Sequence, residues 1–213
     1  GCSWSEDTPK VYEALRDAVM GLRVQPVGGH DGKQPIIKWK DGATTDPSTI
    51  RGWFGRQYTR GNVAIALPPT IVVLDFDRHK AISPAEGEII AEIEAEIPDD
   101  APRVRTPSGG HHVYLRLEEG ETCTNTAGKL AEHVDTRSGG GYVLAPPSEI
   151  HGTPYEWDRP LECVESIPLA PASIRRRLRE AGILQTPEDR EPKPTPAPTP
   201  TTESTPYGLA ALR

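Results

Sequence analysis

Cysteine is scarce in this chain. Only Cys2, Cys123 and Cys163 occur in 213 residues, far apart and with no C-x-x-C spacing. Neither a disulfide framework nor a zinc ribbon is encoded, and a reducing, cytoplasmic setting is expected. Long apolar runs are missing too, so no segment approaches the ~20 apolar residues that cross a bilayer, and no secretory signal is visible. Positive charge is in deficit: 24 Lys and Arg stand against 31 Asp and Glu, for a net charge of −7. That excludes a general nucleic-acid coat protein, but not an enzyme that grips nucleotides through a local basic cleft.

Proline, by contrast, is plentiful and unevenly spread. From about Thr186 the chain alternates Pro with Thr, Glu and Lys as far as Pro206. Such a tract buries little apolar area and favours extended conformations. The expected division is a folded domain over 9–183, a Pro/Thr-rich disordered linker over 184–206, and over 207–213 the first turn of a region that continues beyond it.

What the chain does have is one short stretch around which the rest is organised, Ile71-Val72-Val73-Leu74-Asp75-Phe76-Asp77. Its β-branched run is short and reads as a buried strand. Alternation puts Asp75 and Asp77 on one face, with Cα atoms about 6.6 Å apart. Two carboxylates so placed require a cation, and oxygen ligands suit Mg2+ or Mn2+.

Around this stretch the pattern is α+β. A helix is expected from Pro9 to Gly21, a strand over Arg23–Val27, and a helix capped by Asp46 and Pro47 running to about Tyr58. Strands at Asn62–Leu67 and Thr70–Phe76 are expected to form a hairpin through Pro68-Pro69. A capping box at Ser83–Glu86 opens a helix to about Ile97. Further strands are read at Val104, His111–Leu117, Val134–Arg137, Tyr142–Ala145 and Tyr155–Trp157. One or two helical turns are read at Ala127–His133, and a basic helix at Pro171–Ala181.

Two more stretches carry chemistry. Ser108-Gly109-Gly110-His111-His112 combines glycines that free the backbone to meet an anion with two histidines. In the following strand His111 shares a face with Val113 and Leu115, which points it to a core. His112 shares the other face with Tyr114 and Arg116, which points it to an open cleft. In Asp135-Thr136-Arg137-Ser138-Gly139-Gly140-Gly141-Tyr142, Asp135 and Arg137 share a face, fitting a third metal carboxylate beside a cation for phosphate. Taken singly, each stretch has a plain reading as well: solvated aspartates in a turn, a glycine turn with an ordinary histidine, and a structural Asp–Arg pair.

Together, in this order and spacing, the three stretches resemble the bifunctional primase–polymerase domains of plasmid and phage replication proteins, in the archaeo-eukaryotic primase superfamily. The resemblance runs from about Val11 to Trp157 and takes in Lys33-Gln34-Pro35, Trp39, Thr44–Pro47 and Ala145–Ser148. It implies a catalytic sheet packed beside a smaller α/β part, and primer synthesis and extension on single-stranded DNA from nucleoside triphosphates. It implies that Asp75, Asp77 and Asp135 hold Mg2+ or Mn2+. It further implies that Ser108, Gly109, Gly110 and His112 hold the triphosphate, with Arg137 and Lys33 adding charge contacts, and that a helicase follows in the full-length chain. Some relatives carry a zinc-binding insertion; none is expected here. Two other readings remain at this point: a metal-dependent glycosyltransferase using D-x-D, and a non-catalytic template-binding module of a helicase.

Overall fold

The computed structural model describes residues 8–189. The expected turn at 207–213 and most of the Pro/Thr-rich tract lie outside these residues. In chain order the elements are α1 (Pro9–Val19), β1 (Arg23–Gly28), β2 (Gln34–Pro35), α2 (Trp39–Gly42) and α3 (Pro47–Gly52). A π-helical turn, Trp53–Gln57, continues α3. Then come β3 (Asn62–Ala66), β4 (Ile71–Phe76), a 3-10 turn at Arg78–Lys80, α4 (Pro84–Ala95), β5 (Arg103–Arg105) and β6 (His111–Arg116). The rest are β7 (Thr122–Cys123), β8 (Thr126–Ala131), β9 (Val134–Arg137), β10 (Tyr142–Leu144), β11 (Glu149–Ile150), β12 (Thr153–Pro154), β13 (Glu156–Arg159), α5 (Ala172–Glu180) and β14 (Leu184–Gln185).

Local chemistry explains the helix starts. Thr8, Asp46 and Ser83 each accept a backbone N–H of the first turn, and each is followed by proline. Glu86 completes the cap of α4 by accepting from the Ile82 N–H. Val11, Ala14, Leu15 and Ala18 form the buried stripe of α1, and Gly21, at φ 84°, lets the chain turn off it.

The mixture of helix and antiparallel sheet is α+β. A six-stranded sheet runs β13-β5-β6-β4-β9-β8, and a four-stranded sheet runs β10-β3-β1-β2. Strand β4 sits inside the larger sheet, and its five apolar side chains are fully buried. At ~1.5–3 kcal/mol for each such side chain, this strand is a main contributor to the core. Ile71 and Val73 join one core with α1, α3 and the four-stranded sheet, whereas Val72, Leu74 and Phe76 join a second core with α4 and α5.

Four expectations need correction. Strands β3 and β4 do not form a hairpin, because they belong to different sheets. Pro68 and Pro69 have no N–H with which to close a ladder, and they carry the chain across. The Gly139–Gly141 turn crosses in the same way from β9 to β10, and a Cβ on Gly139 would sit 2.9 Å from Pro69 Cα. Residues 126–131 are strand β8 rather than helix. Pairing with β9 overrides the helical propensity of Ala, Lys and Leu, and the hairpin turns at His133 with φ 63°. Tyr114 does not face an open cleft: it is 1% exposed, because the second sheet covers that face. The ordered chain runs past residue 183, since Leu184 is buried and β14 pairs with β7.

Candidate active site

The register of the larger sheet places three predicted residues side by side. Asp75 on β4 is the cross-strand partner of His112 on β6 and of Asp135 on β9. Directly opposed residues share a face and lie ~4.5–5.5 Å apart at Cα. The His112 Nε2 atom is 3.6 Å from Asp75 Oδ1, an ion-pair distance longer than a hydrogen bond. That oxygen is buried and has no hydrogen-bond partner, and the same is true of His112 Nδ1. Burial opposes the charge on Asp75, but His112, Arg137 and Lys33 outweigh it and hold the carboxyl below its usual value. Asp135 is anchored on both sides, accepting from the Gly128 N–H at 2.8 Å and from Arg137 at 3.0 Å.

Asp77 lies just past β4, where its N–H donates to His133 O. One carboxylate oxygen accepts from Lys80 Nζ at 2.5 Å, and the other is 4.0 Å from His79. Lys80 keeps its proton above the usual lysine value, first through that bond to Asp77 and then through the charges of Asp77, Asp75 and Asp135. Sequence reasoning passed over Lys80. Its one signal is the i, i+3 spacing from Asp77 across a short turn.

A cleft of about 370 Å³ opens here, lined by Lys33, Asp75, His112 and Arg137 together with Trp39, Asn125, Tyr142 and Tyr155. Trp39 packs edge-on to Tyr142 at 5.2 Å, and Tyr142 donates its hydroxyl to Lys33 O, tying the small sheet to the cleft wall. Tyr155 stands 5.8 Å from His112. Asn125 accepts from Ser138 N–H and donates to Gly139 O, pinning the glycine turn. Asn125 and Tyr155 carried no sequence signal.

The remaining predicted residues lie at the strand end beside Asp77. A Cβ on Gly110 would be 2.2 Å from Phe76 O and 3.3 Å from Asp77 Oδ1, so glycine there is demanded by close packing against β4. Gly109, at φ +89°, needs its freedom for the turn, and its N–H already donates to Thr106 O instead of standing exposed. Ser108 Oγ bonds with Thr106 Oγ1 at 3.1 Å. Thus Asp75, His112, Arg137 and Lys33 share the cleft, Asp77 with Ser108–Gly110 forms its neighbour, and Asp135 flanks Asp75. Among the described residues no three His, Cys, Asp or Glu side chains are gathered closely enough to grip an ion. A larger cavity of about 610 Å³, lined by the Gly28–Gly32 and Tyr58–Asn62 turns, contains none of the predicted residues.

The family model "Bifunctional DNA primase/polymerase, N-terminal" matches residues 14–173, well over half of the chain. The chain belongs to this Prim-Pol family. No curated protein matches it. The Prim-Pol match spans every residue assigned to the site, from Lys33 to Tyr155. It also covers the strand order that lines them up, so the role to be explained is that of a DNA primase/polymerase domain. No helix among the described residues is long and apolar enough to cross a membrane.

Proposed function

We propose that this domain is a template-directed nucleotidyltransferase that makes primers on single-stranded DNA and extends them, with Asp75, Asp77 and Asp135 holding Mg2+ or Mn2+. The observation that carries the reading is the row His112–Asp75–Asp135 across three adjacent strands at the wall of a polar cleft. The donor chemistry suits hard cations, since all three carboxylates supply oxygen and Asp75 Oδ1 is buried without a partner, and an ion would have to draw Asp77 and Asp135 in towards Asp75.

The divalent ions would supply polarisation of phosphoryl oxygens and a more acidic primer hydroxyl. The protein's own residues do the rest. Lys33 and Arg137 project positive charge into the cleft to meet the triphosphate, and Arg137 is held in place by Asp135. His112 keeps Asp75 charged and presents an imidazole to the same space. The faces of Trp39, Tyr142 and Tyr155 suit stacking against a base or sugar. Ser108 and the Gly109-Gly110 turn bound the Asp77 end and would contact the outer phosphates.

Template binding is supported by an uneven charge distribution. Residues 8–66 carry nine Lys and Arg against five Asp and Glu, whereas residues 67–189 carry twelve against twenty-two. Two of the four arginines of α5 are already neutralised, Arg175 by Glu118 and Glu121 and Arg177 by Glu96. We place the DNA strand over the small-sheet side, where Lys33, Lys38 and Lys40 lie within eight residues of one another. We place the domain in a cytoplasmic plasmid or phage replication protein, upstream of a helicase. The free thiols of Cys123 and Cys163 suit that compartment. The test is primer synthesis on single-stranded DNA with Mg2+ or Mn2+. The wild-type protein should make product and Asp75→Ala should not. Absence of product from the wild type with both metals, or full synthesis by the variant, refutes the proposal.

A further inference from the structure

Each of the three carboxylates is engaged differently, and one of them, Asp77, is paired with Lys80. Asp135 is bound on both oxygens by its own neighbourhood, Gly128 and Arg137. Asp75 has a buried, unpartnered oxygen. Asp77 spends one oxygen on Lys80 at 2.5 Å. Yet Lys80 is not built in rigidly. It ends a three-residue 3-10 turn fastened by Lys80 N–H to Asp77 O at 2.8 Å, and its side chain is 53% exposed. A tethered, flexible cation at the mouth of an anionic site can leave it without disturbing the fold.

We infer that Lys80 is an internal counter-cation of the carboxylate site, which a divalent metal must displace and which then turns to the phosphates of the incoming triphosphate. Deepening the metal reading above, it makes metal binding weak in the absence of nucleotide and couples the two ligands. The displaced ammonium has a compensating anion only when a triphosphate is present. Without that anion, metal and ammonium repel each other beside Asp77.

The measurement is Mn2+ binding to the 213-residue protein, read from the electron paramagnetic resonance signal of free Mn2+, with and without a non-hydrolysable nucleoside triphosphate. Lys80→Ala should bind Mn2+ about five-fold or more tightly than wild type when no nucleotide is present. Nucleotide should improve Mn2+ binding less in the variant than in wild type. Asp77→Asn serves as the control and should weaken Mn2+ binding in both backgrounds. Equal or weaker Mn2+ affinity of Lys80→Ala, with the Asp77→Asn control behaving as expected, overturns the role of Lys80 and leaves the metal site standing. Mn2+ binding that ignores Asp77→Asn, or no binding to any form, overturns the metal site and Lys80's role with it.

Discussion

Two adjacent histidines offer the sharpest test of the site, because the sheet sends them in opposite directions. His112 is on the Asp75 face, 5% exposed, with Nε2 towards Asp75 and a buried Nδ1 that lacks a partner. His111 is on the other face, stacked on Phe76 at 4.9 Å and 16° and within 3.1 Å of Glu94 on α4. Burial, aided by Arg103 and His112, pushes the His111 ring down to about 4, so near neutrality it is an uncharged aromatic filling the second core. For His112→Ala the loss is a charge-assisted contact of ~1.5–3 kcal/mol. Nucleotide use should fall by about 10- to 150-fold, chiefly as a higher KM for nucleotide, with template binding near normal. For His111→Ala the loss is a stacked pair of ~0.5–1.5 kcal/mol plus the cavity left behind, in all about 1–3 kcal/mol. That lowers the melting temperature by about 3–10 °C with little change in KM. The assays are nucleotide titrations of primer extension and thermal melts on both variants. If His111→Ala raises the nucleotide requirement and His112→Ala does not, the register of β6 against β4 is off by one residue and the site must be redrawn.

Two further variants separate chemistry from support. Asp77→Asn should abolish primer synthesis while the melting temperature holds, since its only strong partner is an exposed lysine; retained synthesis contradicts the assignment. Asp135→Ala should lose synthesis and also about 1–3 kcal/mol of stability, because it orphans the Gly128 N–H and removes the carboxylate partner of Arg137, which keeps only its bonds to the Thr126 and Thr136 carbonyls; a melt unchanged from wild type speaks against that anchoring role. Asp17 is a pH prediction remote from the site. Burial first, then Glu13, raises its carboxyl to about 8 against the opposing pull of Arg16. The folded protein then keeps a proton that the unfolded chain releases from about pH 4 upward, so stability falls between about pH 4 and 8, by up to ~1.4 kcal/mol per pH unit. Asp17→Asn should be more stable than wild type at pH 8 in denaturant titrations, with the gap closing towards pH 4; a gap that widens as pH falls reverses the argument.

What was readable in the sequence, and what was not, divides along one physical line. Features set by near neighbours were legible. The caps at Asp46 and Ser83, the buried run of β4, the opposite faces of His111 and His112, and the pairing of Asp135 with Arg137 depend on alternation or on contacts a few residues apart. Features set by which strands meet were not. Pro68-Pro69 reads as a turn in any local window, and only the two-sheet arrangement makes it a crossover. Residues 126–131 have helix-forming composition and become an edge strand because β9 offers them a partner. Tyr114 alternates onto the cleft face, yet it is buried because the second sheet closes over that face. The site straddles the same line. Asp75, His112 and Asp135 were each nominated from their own stretch, but their alignment in one row is a product of sheet order. Asn125 enters through its bonds to the glycine turn, and Tyr155, just before β13, through its place on the cleft wall beside His112. Lys80 shows the limit most clearly. Three residues from Asp77, it lies within the reach of local reasoning, but a lysine in a turn has meaning only once a third carboxylate has arrived from β9 to make the surroundings anionic. On the role proposed for Lys80, the chain itself supplies the first cation beside Asp77, and the affinity of that position for any other cation follows from how readily the lysine leaves.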